Sequence, residues 1–155
     1  KFPGVRKGGS SNSLLSMLIA GGFTTSEAVF FAPGATGSWM EPDNVTSPVS
    51  RLLEPGECGF GYVMLEGGLA MTDKHNGGRP IMVTPLQRGE RGSDPRFDRK
   101  LYDRRAVYLR IDQSVKQNLV DGDGRVKLPG GWALFERGPD TVWGEEVPEL
   151  VPPEW

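Results

Sequence analysis

The sequence predicts an α+β fold: a short N-terminal helix followed by a small antiparallel β-sheet with long loops, in a single domain over residues 1–155. Three observations lead there. One stretch near the N-terminus carries apolar residues at the spacings of an amphipathic helix. Further along come short apolar runs bounded by Gly or Pro, the pattern of strands between turns. The chain also holds 22 glycines and 13 prolines in 155 residues, which calls for many turns and long surface connections rather than a helical bundle.

The helix is expected over Ser10–Ala20, "SSNSLLSMLIA". Ser10 or Asn12 can cap it, because a short side-chain oxygen accepts from the orphan N–H groups of a first turn. Leu14, Leu15, Leu18 and Ile19 form its apolar stripe, and Gly21-Gly22 supplies the left-handed stop. Thr24 and Glu27 have the spacing of a capping box. The following "AVFFAPG" then reads as a strand entering a turn. Strands are expected at Gly59–Leu65 and Arg79–Thr84, and a hairpin at Arg105–Leu119 turning at Asp112-Gln113-Ser114. In its first arm Val107, Leu109 and Ile111 alternate with Tyr108 and Arg110. A further short strand is expected within Gly130–Gly138. Residues 32–57 and 88–104 read as loops, and the proline-rich tail after Gly138 as an extended segment lying over the domain without ladder pairing, Trp143 packed inward.

Bulk chemistry narrows the function. A chain this long buries roughly 70% of its unfolded surface and needs no metal or disulfide to fold. No apolar run approaches the roughly 20 residues of a membrane span. Net charge is −2, which gives no reason to expect nucleic acid as a partner. The loop 88–104 sets Arg88, Arg91, Arg96, Arg99, Lys100 and Arg104 against Glu90, Asp94, Asp98 and Asp103, a mixed-sign pattern of solvated surface.

Catalytic patterns are thin. Cys58 and His75 are the sole cysteine and histidine, a possible nucleophile and base only if the fold brings them together. Serine-hydrolase and phosphate-loop motifs are missing, and Gly56, Gly59 and Gly61 lack the spacing and the following helix of a dinucleotide loop. The twenty acids are scattered, none inside an apolar run where burial would raise its pKa. No catalytic residue and no cofactor is therefore assigned. Asp121 and Asp123 in "VDGDGRV" resemble the opening of a calcium loop, but Lys127 and Leu128 stand where its far acid belongs. An Asp-Gly turn is the simpler reading. Trp39, Trp132, Trp143 and Trp155 could line a sugar-binding face, or serve as core and lid.

Lys1-Phe2-Pro3-Gly4 reads as the end of a turn, with no initiator Met, so further sequence is expected before it. With "SNSLLSMLIAGGFTTSEAVFFAPG" after it, in which Ser26-Glu27, Phe30-Phe31 and Pro33-Gly34 hold the matching places, and with the later "RAVYLRIDQSVKQ", the chain resembles the C-terminal globular domain of type IV pilin-like and type II secretion pseudopilin-like proteins. In the hairpin, Asp112, Ser114 and Val115 fall in register with the family's; Glu57–Met64 and Asp140–Gly144 are also similar. Gln113 stands where the family has Gly and Ser114 where it has His, and the sequence holds no prepilin motif. The resemblance implies a non-enzymatic structural subunit, with partners that are other pilin-like subunits and, through an N-terminal helix preceding Lys1, the inner membrane. Location would be periplasmic or at the cell surface, anchored in the precursor. It also implies that a sheet face normally covered by that helix lies bare in this chain. The alternatives are a secreted ligand- or carbohydrate-binding β module, and a hydrolase of unrecognised site.

Overall fold

A computed structural model describes residues 9–45 and 47–155; the "KFPG" start lies outside the described residues. One α-helix, α1 (Ser11–Ala20), packs on a five-stranded, wholly antiparallel sheet. The strands are β1 (Gly61–Leu65), β2 (Pro80–Thr84), β3 (Arg105–Arg110), β4 (Val115–Leu119) and β5 (Pro148–Val151), in the spatial order β4-β3-β2-β1-β5.

The helix follows its sequence signals closely. Ser10 is the N-cap, its Oγ accepting from Ser13 N at 3.2 Å. At the other end the left-handed residue is Gly22 (φ 74°), while Gly21 keeps a right-handed helical backbone. Phe23 N reaches back to Leu18 O at 2.9 Å and Gly22 N to Ile19 O at 2.9 Å. That double return satisfies terminal carbonyls that would otherwise be orphaned. Asn12 is no cap: it is buried and faces the loop around Leu53.

Each face of the sheet carries its own core. On one, Val63, Val83, Ala106, Tyr108 and Leu150 pack under residues of the long connections, among them Leu86, Phe97, Leu134 and Trp143. On the other, Leu14, Leu15 and Ile19 of α1 cover Tyr62, Met64 and Val151. The interior strand β1, between β2 and β5, is therefore buried on both faces, which is why "GYVML" is an unbroken apolar run rather than an alternation.

Several sequence expectations are corrected. "AVFF" forms no strand: Glu27–Phe30 is a single 3-10 turn. The Thr24–Glu27 capping box does not form, because the Glu27 carboxylate turns to Asn44 N at 2.7 Å. Gly130–Gly138 is a series of turns, with isolated bridges from Ala133 to Lys127 and from Gly138 to Gly144 instead of a strand. The tail does enter the sheet. Pro148 opens β5 at the sheet edge, where a missing N–H costs little, and Gly92 and Leu150 exchange hydrogen bonds of 3.1 and 2.8 Å along its outer side. In β3 the deeply buried residues are Ala106 and Tyr108, whereas Val107 and Leu109 lie on the other face, only half-buried. Trp143 is fully buried as expected, its Nε1 donating to Leu134 O at 2.8 Å and its ring 6.0 Å from that of Phe135.

Candidate functional site

Strand register creates the most distinctive surface. Val151, Tyr62, Met82, Leu109 and Val115 are successive cross-strand partners, one from each strand, in a single row running from β5 to β4. Cross-strand partners share a face of the sheet. Cover falls steadily along this row. Val151 and Tyr62 lie buried under α1, Met82 and Leu109 are half-buried, and Val115 is 65% exposed. The ten-residue helix is too short to roof the whole sheet, so it covers the β5–β1 side and stops.

Beyond α1 the bare row becomes the floor of a groove of about 410 Å³, lined by Leu18, Phe23, Val29, Phe60, Leu109 and Val115 among others. Phe23, held in place by the helix-terminating turn, is 83% exposed at its lip, and Val29 is 60% exposed. A contiguous apolar surface of this kind marks a place where another segment or molecule packs. Among the described residues the adjoining strand β4 is the outermost strand on that side of the sheet. No helix among the described residues is long and apolar enough to cross a membrane.

The structure does not bring Cys58 and His75 together. Cys58 is buried against α1, with Ser11 Oγ 3.9 Å from its sulfur and Phe60 O at 3.6 Å. Burial pushes its thiol up to about 11, so it carries almost no thiolate at neutral pH. His75 sits in a turn with Thr72, its Nδ1 accepting from Thr72 N at 2.9 Å and its Nε2 3.9 Å from Glu146.

Asp121 and Asp123 occupy a tight turn. Asp121 Oδ1 accepts from Asp123 N and Arg125 N, each at 2.9 Å, and Gly124 takes the left-handed backbone (φ 80°). The turn bridges Val120 to Val126, joining two short extended pieces. The tryptophans form no common platform. Trp143 is core, Trp39 lies over Gly56, and Trp155 stacks under the Arg88 guanidinium at 4.8 Å.

Sequence reasoning missed a pair of buried acids. Glu27 and Glu57 are both 0% exposed. With the exposed Asp43 they each bring a carboxylate oxygen within 4.8 Å of the others. Glu57 accepts from Asp43 N at 3.2 Å and from Glu54 N at 2.6 Å, and Asn44 Oδ1 accepts from Glu27 N at 3.1 Å. Burial, then the nearby Glu57 charge, raises the Glu27 carboxyl above the ordinary glutamate range. The one hint in sequence is that each acid immediately precedes an apolar run, "AVFFA" and "CGFGYVML". Nothing local shows that both point inward.

No known family model matches the chain, and no curated protein or solved structure matches it either.

Proposed function

We propose that this chain is the head domain of a pilin-like or pseudopilin-like subunit, a non-enzymatic structural protein of the periplasm or cell surface. Its partners are other pilin-like subunits, and an apolar helix preceding Lys1 anchors the precursor in the inner membrane. The observation that carries the reading is the row Val151-Tyr62-Met82-Leu109-Val115, roofed by α1 at one end and bare at the other. A helix laid beside α1 would complete the layer and cover Leu109, Val115 and the flank of Phe23. Its remaining length would be free to pack against the equivalent helix of a neighbour. The reading also gives the head no need of a catalytic constellation, since its role is to shield one side of the helix and face outward.

The test is the N-terminal sequence of the native protein, read from the coding sequence upstream of Lys1 and confirmed by mass. A short basic leader, a Gly-Phe junction and an apolar helix with Glu at its fifth position are expected. An ordinary cleaved signal peptide ending near Lys1 would sink the reading in favour of a secreted binding module.

A further inference from the structure

We propose that Glu27, Asp43 and Glu57 form a binding site for a hard divalent cation, and that calcium is the ion it fits. The argument starts from charge. Two carboxylates with no exposed surface lie side by side, and neither glutamate is in an ion pair among the described residues. The Arg51 guanidinium binds Asp43 Oδ2 at 3.1 Å and Glu54 Oε2 at 3.2 Å. Backbone N–H groups reach Glu57 through both of its oxygens and Glu27 through Oε2, and the Leu53 backbone also hydrogen-bonds toward the Glu27 carboxylate. The remaining oxygen, Glu27 Oε1, is buried with no hydrogen-bond partner. A buried carboxylate oxygen left without a donor is costly, and an ion is one of the few things that satisfies it.

The donor set selects the ion. It offers oxygen alone, with no imidazole or thiolate, which suits hard cations rather than zinc or copper. Calcium takes roughly six to eight oxygens in a flexible geometry, whereas magnesium demands a near-ideal octahedron and keeps several of its waters. Three carboxylate oxygens within 4.8 Å of one another, set on separate loops, suit calcium's looser demand. Asp43 is exposed, so it opens the site to solvent, and water can complete the coordination. Its pair with Arg51 is a surface contact that an ion can displace at little cost. Bound there, the cation would join the Glu27–Phe30 turn to both ends of the connection between residues 43 and 57. The proposal is independent of the pilin-like reading and of the Asp121–Asp123 turn.

The experiment is a titration of CaCl2, with MgCl2 in parallel, into chelator-stripped protein at about pH 7.5. Thermal melting and isothermal titration calorimetry are the readouts. Calcium should bind saturably at one site and raise Tm by about 4 °C at ten times its dissociation constant. Magnesium should act more weakly. Asp43→Asn, at an exposed position that should not disturb folding, should weaken calcium about tenfold. Glu27→Gln keeps an acceptor for Asn44 N and should abolish the response, while Asp123→Asn should leave it intact. No saturable response up to about 10 mM calcium, well above the range of weak extracellular sites, would overturn the proposal. So would a response that survives in Asp43→Asn and Glu27→Gln, or one that Asp123→Asn removes.

Discussion

Asn12 offers the sharpest test of how the helix is joined to the rest of the fold. It is buried in α1, where it donates from Nδ2 to Leu53 O at 2.9 Å and Glu54 O at 3.0 Å, and accepts from Glu154 N at 2.8 Å. One side chain thus clamps the helix to the connection carrying Glu57 and to the residues after β5. Replacement by alanine removes three hydrogen bonds, each worth about 1 kcal/mol. It also leaves the Leu53 carbonyl buried without this donor, and gives back about 0.6 kcal/mol in helix propensity. The net cost is about 3 kcal/mol, or a fall in Tm of roughly 9 °C for a chain of this size. Ser16→Ala is the internal comparison, since Ser16 Oγ makes a single buried bond to Leu52 O at 2.9 Å and its loss should cost about 1 kcal/mol. Urea unfolding monitored by tryptophan fluorescence measures both. Asn12→Ala costing no more than Ser16→Ala would refute the clamp.

Three other outcomes follow from particular contacts. Val115→Glu on the bare end of the row should change urea stability by less than about 0.5 kcal/mol while lowering binding of an apolar dye such as ANS; a cost above about 2 kcal/mol would mean that the groove is already filled. Gln113 has a left-handed backbone (φ 67°) at the β3–β4 turn. Gln113→Gly should therefore stabilise by about 0.5 kcal/mol, the relief of side-chain strain outweighing the added freedom of the unfolded chain; a shift of the urea midpoint the other way would contradict it. Asp94 is held down to about 2, chiefly by its hydrogen bond from Arg125, with Arg96 adding to it. A depressed folded-state value means stability that is present above the unfolded carboxyl's range, about pH 4, and is lost as pH falls toward 2. Asp94→Asn should thus differ from the parent near neutrality and converge with it in acid. Because Asp94 is half exposed, the difference should be small and shrink in about 0.5 M NaCl.

What the sequence determined by itself is local. Ser10, the leucine stripe and Gly22 mark out α1 within a residue, because capping and periodicity act over one or two turns of chain. The hairpin and its Asp112-Gln113-Ser114 turn were legible for the same reason, as were β1 and β2 as bounded apolar runs. Only the tertiary structure decided which face each residue serves. Alternation in β3 set Val107, Leu109 and Ile111 against Tyr108 and Arg110 without assigning a face, and pairing with β2 turns Ala106 and Tyr108 into the larger core. Proline in the tail argued against pairing until an edge position beside β1 removed the objection. The bare row exists because a helix of ten residues meets a sheet of five strands, a mismatch between elements far apart in the chain. Glu27 and Glu57, thirty residues apart and unremarkable in composition, become a buried pair only when the turn after α1 closes on the approach to β1. Burial of a charge depends on what packs over it, and that is a property of the assembled layers rather than of any segment.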